Sequence, residues 1–429
     1  MQKETIFYKK KFLIYGFGKS GYASYRFLCK KNDCKIIDDN RKNIPGMYKN
    51  KSINYKKLKK KNFDYIILSP GIDINNCKLS GYLKKNISKV ITELDIFYLF
   101  YPNIKKITIT GTNGKSTTSK LLYDVLKEHR KDVRLTGNIG RPTLLEKGFK
   151  NSTIFVIEAS SYQLEYSKFF KSDYSIILNL SPDHLERHGT FENYIKAKFN
   201  LIKNQTKNNY AFIEKNNYLL NNLIKKNKIK SKIHKVNYKN YQKYYKLITN
   251  RYFENKSNIM NLSFIFALNK YLKLEINKIV EASNKFKGLN FRQQIIYNKK
   301  NLMIINDSKS TSLSSTKLLL ESFDNIYWIL GGLAKKGDKL KLNRKYFSKI
   351  KAFIFGKDKF FFSRMLNKKI KYKVSKDLNN LLLKVYKDLK NDLNGKKVIL
   401  FSPSAASFDQ FKNFEDRGNQ FKALIKREF

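Results

Sequence analysis

Lys106-Ile-Thr-Ile-Thr-Gly-Thr-Asn-Gly-Lys-Ser-Thr117 joins a buried-type strand to a glycine turn that grips phosphate. Ile107 to Thr110 is β-branched throughout, as in a strand covered on both faces. From Ser119 to His129, Leu121, Leu122, Val125 and Leu126 fall at helical spacing. The turn therefore lies between strand and helix. Gly111 and Gly114 let the backbone N–H groups of Gly111, Thr112, Asn113 and Gly114 converge on phosphate oxygens, and the helix N-terminus adds partial positive charge. Lys115 reaches the terminal phosphates, and Ser116 or Thr117 is placed to hold Mg²⁺. The usual G-x-x-x-x-G-K-[ST] pattern would put glycine at 109, where Ile109 stands, so the stretch reads as a variant P-loop. The bland alternative is a glycine turn of a parallel sheet that binds nothing. The lysine and hydroxyls together weigh against it.

Upstream, Lys11-Phe-Leu-Ile-Tyr-Gly-Phe-Gly-Lys-Ser-Gly21 is a strand followed by G-x-G-x-x-G. It predicts a helix over Tyr22 to Lys31 and a second strand ending at Asp38-Asp39. Only about 100 residues precede the P-loop strand, too few for both halves of a dinucleotide fold. A single nucleotide diphosphate fits better than NAD. Leu68-Ser-Pro-Gly-Ile72, after the strand Tyr65–Leu68, closes the same crevice. Tyr101-Pro102-Asn103 reads as a linker.

Downstream come Gly137-Asn-Ile-Gly140 and the strand Ile154–Ile157, which runs into Glu158. Glu158 thus stands at a strand's carboxyl end, where open α/β sheets place ligands. A further strand, Ser175–Leu180, ends in Ser181-Pro-Asp-His-Leu-Glu-Arg-His188. Two of the chain's four histidines fall in this segment, which lifts His184 above an incidental surface histidine; His188 reads as incidental. Lys198 sits mid-helix in Tyr194–Ile202 and by pattern is one solvated lysine among many. Residues 205–256 are polar and lysine-rich, with little to bury. Helical pattern returns over Ile259 to Leu272, and Gly288-Leu289-Asn290 reads as a second linker. The last region is α/β again, with strands Leu302–Ile305, Tyr327–Leu330, Ala352–Phe355 and Val398–Phe401. Three strand ends carry polar residues: Asn306-Asp-Ser-Lys-Ser-Thr311, Gly331-Gly-Leu-Ala-Lys-Lys336 and Ser402-Pro-Ser-Ala-Ala-Ser-Phe-Asp409.

A chain of 429 residues with 28% charged and 41% apolar residues is globular and too long for one core. No run approaches the roughly 18 to 20 apolar residues of a membrane span, and no signal peptide is legible, so a cytoplasmic protein is expected. Three cysteines without metal-ligand spacing fit reduced thiols. The formal charge of +54 would ordinarily point to nucleic acid or an anionic membrane. Lysines recur along the whole chain, however, in runs such as Lys9–Lys11, Lys56–Lys61 and Lys225–Lys232, and they travel with Asn, Ile, Tyr and Phe. These residues share A/T-rich codons, so genome composition is the preferred explanation. The strongest local case for nucleic acid is Tyr238-Lys-Asn-Tyr-Gln-Lys-Tyr-Tyr-Lys246, which interleaves aromatics with cations; an exposed hairpin of the same bias accounts for it equally well.

These residues resemble the Mur ligases over nearly the whole chain. Thr110-Gly-Thr-Asn-Gly-Lys-Ser-Thr117 looks like that family's own P-loop form. Asn306–Thr311 and Ser402-Pro-Ser-Ala-Ala-Ser-Phe-Asp-Gln-Phe-Lys-Asn-Phe-Glu-Asp-Arg-Gly-Asn419 resemble the members that add D-glutamate, and the Asp-Asn-Pro-Arg motif of the diaminopimelate- or lysine-adding relatives is missing. The resemblance implies three α/β domains: a Rossmann-like UDP-sugar domain (1–102), a central P-loop ATPase domain (103–288) and a Rossmann-like amino-acid domain (289–429). It implies an ATP-dependent ligase that joins D-glutamate to UDP-N-acetylmuramoyl-L-alanine in peptidoglycan precursor synthesis, with ATP, two Mg²⁺ ions and a carbamylated lysine at Lys198. A monomer that binds no nucleic acid is expected. Lys115 looks like the γ-phosphate lysine, Ser116 and Glu158 like metal ligands, and His184 like a ligand of the second metal. Asn138 resembles a contact to the muramoyl-alanine. Asn261, Arg292 and Asp307 resemble ATP contacts, the last two from a domain that closes over the nucleotide. Lys309, Thr311, Lys335, Ser407 and Phe414 resemble a D-glutamate clamp. Lys19, Ser20, Asp38 and Gly71 fall where the uridine diphosphate would lie. In the adenine-binding stretch, Asn255-Lys-Ser-Asn-Ile-Met-Asn261 has Ser257 where the family carries histidine, and it lacks the family's glycine. Folylpolyglutamate synthetase shares the central and last domains but has no front Gly-x-Gly domain, so Gly16–Gly21 argues against it. A nucleotide-regulated nucleic-acid-binding protein is the non-enzyme alternative.

Overall fold

The strand that opens the glycine turn lies inside a parallel sheet, and its neighbours on both sides explain why Ile107 and Ile109 are fully buried. The computed structural model describes residues 7–58, 61–299, 301–335, 337–392 and 395–428. Lys59 and Lys60 of the early lysine run, and Lys336, lie outside the described residues. Two compact units divide the chain, Met1–Asn237 and Tyr238–Phe429.

The first unit carries two sheets. Strands β1 (Lys11–Tyr15), β2 (Asp33–Ile37), β3 (Tyr65–Leu68) and β4 (Val90–Ile91) pair in parallel in the order β2-β1-β3-β4. Strands β5 (Lys105–Thr110), β6 (Val133–Gly137), β7 (Ile154–Glu158), β8 (Tyr174–Ile177), β9 (Tyr210–Glu214) and β10 (Lys232–Val236) form an all-parallel sheet ordered β10-β9-β8-β5-β7-β6. Two buried acids on the helix Glu93–Phe100 tie this unit together. Asp95 Oδ1 accepts from the backbone N–H groups of Lys168, Phe169 and Phe170 at 2.8–3.0 Å, and Glu93 Oε1 accepts from Thr143 Oγ1 and Leu144 N. Burial pushes the Glu93 carboxyl above its ordinary range, against the lowering by those hydrogen bonds.

The second unit begins with helices, chiefly Lys256–Leu272 and Ile276–Lys285, and continues into a third sheet. Its strands are β11 (Gln294–Lys299), β12 (Leu302–Asn306), β13 (Ile326–Gly331), β14 (Ile350–Phe355), β15 (Lys371–Val374) and β16 (Lys397–Phe401), ordered β11-β12-β16-β13-β14-β15. All pairs are parallel except β11 with β12. Apolar clusters cover both faces, one around Trp328 and Phe362 and the other around Phe401 and Phe421.

Three expectations are corrected. The helices after the two glycine turns begin at Lys19 and Lys115, three and four residues earlier than their apolar spacing predicts, because the turn glycines lead straight into helical first turns of polar residues. Residues 205–256 do bury a core: β9 places Ala211 and Ile213 against Ile177 and Leu220, and Phe212 is buried beside the rings of Tyr174 and His234. Tyr238–Lys246 is not a hairpin but two short helical turns, and Tyr241, Tyr244 and Tyr245 pack on Phe266 with ring centroids 5.1–5.9 Å away. Those tyrosines serve a core contact rather than an open stacking surface.

Candidate active site

Gly114, at φ +82°, caps the helix Lys115–Glu128, whose first turn holds no acid, so nothing there offsets the partial positive charge. The turn is held from β8 and from the helix Phe191–Lys203. Asn113 N donates to Asn179 Oδ1 (2.8 Å), and Asn179 Nδ2 donates back to Asn113 O (3.0 Å). Thr112 Oγ1 donates to Ser181 O (3.1 Å) and lies 3.0 Å from the Tyr194 hydroxyl. Lys115 Nζ folds back on its own loop, donating to Gly111 O (2.9 Å) and Thr112 O (2.7 Å). Its ammonium is thereby poised over the cradle where an anion would sit. Ser116 and Thr117 lie buried in the first helical turn.

Beside this cradle β7 delivers Glu158. Its neighbour β6 ends at Gly137, where a Cβ would stand 2.3 Å from Glu158 O, so only glycine allows this approach. Asn138 Nδ2 donates to Glu158 Oε1 (2.8 Å). Glu158 Oε2 is buried and has no hydrogen-bond partner. An orphaned, buried carboxylate oxygen is costly unless a cation or donor meets it.

Lys198, read from sequence as solvated, is buried. Its Nζ lies 3.5 Å from Thr110 Oγ1 and 4.6 Å from the centroid of the Tyr194 ring, one helical turn earlier. Burial, and then the charge of Lys115, push the Lys198 ammonium well below its ordinary pKa, while Asp183 and Glu158 work in the opposite sense. His184 adopts φ +53° and is partly exposed, with its ring nitrogens 3.4 Å from Asp183 Oδ2 and 3.5 Å from Glu186 Oε1. His188, read as an incidental surface histidine, is corrected. It is buried, with Nε2 3.0 Å from Ser161 Oγ and Nδ1 3.7 Å from Glu165 Oε1.

Among the described residues no group of three or more His, Cys, Asp or Glu side chains is arranged around one point. A hard cation that keeps several waters needs no such cage. The orphaned Glu158 oxygen next to the Ser116 hydroxyl turn therefore fits Mg²⁺ better than a transition metal.

In the first sheet Lys19 and Ser20 open the helix Lys19–Leu28, and Gly71 is exposed with open space around it. Ser20, Ser69, Pro70, Glu93, Tyr162 and Gln163 line one small cavity. Asp38 accepts from Phe17 N (2.7 Å), Asn40 N (2.9 Å) and Asn43 Nδ2 (3.1 Å), so both its oxygens shape the glycine turn itself.

In the second unit, Asp307 N donates to Phe401 O (2.7 Å), while its carboxylate accepts from Gln293 N (3.0 Å) and Ser402 Oγ (2.9 Å). Burial raises the Asp307 carboxyl to about 7 despite those bonds and nearby Arg292. Lys309 Nζ sits 4.0 Å over the Phe414 ring, Thr311 and Lys335 are partly exposed, Ser407 is buried, and Asn261 is buried on Lys256–Leu272. Arg417 is the residue that sequence reading missed. Wholly buried, it donates to Ser308 Oγ (3.1 Å), Ser308 O (2.7 Å) and Ala405 O (3.0 Å), joining two of the polar strand ends. Gly418 follows it, and a Cβ there would meet the Phe291 ring at 2.2 Å.

Residues 109–284 match the family model described as the Mur ligase middle domain. The UDP-N-acetylmuramoylalanine--D-glutamate ligase of Rickettsia felis is 34% identical over 98% of this chain and 97% of its own length. The protein of the same name from Elusimicrobium minutum is 32% identical over 99% and 100%. Among solved structures, the UDP-N-acetylmuramate-alanine ligase MurC of Thermotoga maritima has a TM-score of 0.55 at 17% identity, covering 98% of this chain and all of that one. The MurF ligase of the same organism, crystallised with ADP, has a TM-score of 0.54 at 15% identity, covering 87% and 92%. With near-complete coverage by relatives above 30% identity and a shared fold, the chain belongs to the Mur ligase family.

Proposed function

We propose that this chain is the ATP-dependent ligase that joins D-glutamate to UDP-N-acetylmuramoyl-L-alanine, acting as a cytoplasmic monomer in peptidoglycan precursor synthesis. The observation that carries the reading is the convergence of Lys115, Glu158 and buried Lys198 around one phosphate-type turn. A carboxylate is a poor electrophile, so amide formation in water must be coupled to phosphoryl transfer. The γ-phosphoryl passes to the L-alanyl carboxylate, and the amine of D-glutamate then attacks the acyl phosphate and releases phosphate. Gly111–Thr117 hold the nucleotide's phosphates through backbone N–H groups, and Lys115 leaves its two carbonyls to follow the charge on the transferring group. Mg²⁺, when bound, would be held by Ser116, Glu158, His184 and a carbamylated Lys198, and it supplies charge neutralisation between phosphate oxygens. Asn138 both orients Glu158 and contacts the muramoyl-alanine. Lys19, Ser20 and Gly71 serve the uridine diphosphate, with Asp38 shaping their turn. Asn261, Arg292 and Asp307 serve ATP. Lys309, Thr311, Lys335, Ser407 and Phe414 take D-glutamate, on the division 1–102, 103–288 and 289–429.

Among the described residues no helix is long and apolar enough to cross a membrane. The deciding experiment is phosphate release with UDP-N-acetylmuramoyl-L-alanine and each candidate amino acid in turn. Release that depends on D-glutamate is expected. Equal release with L-lysine or meso-diaminopimelate, or none with any, would refute the assignment.

A further inference from the structure

The second unit carries a groove that the ligase reaction does not use. It has a volume of about 670 Å³ and is lined by Lys359, Val374, Lys376, Leu383, Lys384 and Lys387, along with Ser375 and Asn380. No acid lines it. It opens at the carboxyl end of β15, the outermost strand of its sheet, where Val374 lines it, between Lys359 at the start of the helix Lys359–Leu366 and the helix Leu378–Lys390, which pack on opposite sheet faces. Lys384 Nζ donates to Val374 O (2.6 Å), which fixes one cation at the end of the strand. Leu383, 50% exposed, lines the groove, and the elements that border it carry the exposed Phe360 (66%) and Phe361, next in the chain to Lys359, and Tyr372 on β15. The A/T-rich bias accounts for how many Phe and Tyr the chain carries but not for their gathering on elements that border one groove, and exposed apolar side chains grouped at a concave surface mark an interaction site.

We propose that this groove docks an extended acidic segment of a partner protein, which adds to the edge of β15. Charge complementarity selects an acidic partner, since four lysines face the groove without a counter-charge among its lining residues. Concavity and the strand edge select a peptide. A bilayer is flat and cannot supply partners to backbone N–H and C=O groups, whereas an added strand satisfies them. Alternation in a strand then sends acidic side chains to one face, where Lys384 and Lys387 lie beside Leu383, and apolar ones to the other, where Phe360 lies. Single-stranded nucleic acid would meet the charge but not the strand edge.

The test uses the full-length protein and a labelled ten-residue peptide of alternating glutamate and valine, read by fluorescence anisotropy and by amide hydrogen exchange at 150 mM salt. A control peptide of the same charge carries proline at alternate positions and cannot pair with a strand. The alternating peptide is expected to bind at least tenfold tighter than the control and to protect Lys371–Val374 from exchange. Lys384→Glu with Lys387→Glu, and separately Leu383→Ser, should each weaken it at least tenfold while D-glutamate-dependent turnover stays unchanged. Equal binding of the two peptides, exchange protection elsewhere only, or tighter capture of phosphatidylserine vesicles or oligo-dT by the same lysines would overturn the proposal.

Discussion

Lys198 shows how far a residue's chemistry depends on where folding puts it. In sequence it is one of 88 basic residues. In the structure it is buried above Tyr194, and its amine gives up a proton more readily than an ordinary lysine's because both burial and Lys115 oppose the charged form. A neutral amine reacts with CO₂, and the resulting carbamate would present oxygen to Mg²⁺ where an ammonium would repel it. Activity should therefore fall in CO₂-depleted buffer and recover with bicarbonate, while Lys198→Ala should lose acyl phosphate formation. Full activity of that variant would return Lys198 to a packing role. Lys115→Ala should abolish acyl phosphate formation and leave binding of the UDP substrate near normal, because the glycine turns at Gly16 and Gly111 end different sheets. Retention of even a tenth of turnover, about 1.4 kcal/mol, would contradict this. The environment of Lys198 was not legible from pattern. The P-loop lysine could be recognised because its neighbours form a motif; Lys198 and Arg417 stand among ordinary residues, and only long-range packing sets them apart.

At the scale of elements, strands were the legible part, since a strand covered on both faces must be apolar along its length and β3 reads the same in sequence and structure. Strands β9 and β10 were hidden because flanking lysines dilute a short apolar run, and the burial of Phe212 depends on a partner strand 36 residues earlier. The strand ends also carry the sharpest test of stability. Asp307 holds its proton more tightly folded, at about 7, than unfolded, near 3.8. Its contribution therefore favours folding below about pH 4 and is lost as the pH rises through 7. Asp307→Asn keeps an acceptor for Gln293 N, so its melting temperature should exceed wild type at pH 8, by a free energy on the order of 4 kcal/mol at most, and match it near pH 4. A gap of constant size across that range would exclude Asp307 as the titrating group. On the same strand ends, Lys309→Ala and Ser407→Ala should mainly raise the KM for D-glutamate. Weakened binding of UDP-N-acetylmuramoyl-L-alanine with D-glutamate spared would reassign both residues.

For the whole molecule, a net charge of +54 sets a repulsion that every local contact must overcome. Ion pairs such as Lys196–Glu192 and Lys285–Glu281 are exposed and contribute little each. Raising KCl from 50 to 500 mM shortens the Debye length from about 14 Å to about 4 Å, so the melting temperature should rise by several degrees. A flat or falling curve would show that the excess lysines are too dispersed to repel. The same chain also records which positions resist a drift in base composition. Glycine codons begin with two guanines, and a genome that fills its surfaces with lysine and asparagine erodes them wherever erosion is harmless. Gly137, against the Glu158 carbonyl, and Gly418, against the Phe291 ring, have no room for a single added carbon. In a library of random variants of this protein, these two codons should stay fixed while the lysine coat around them turns over freely.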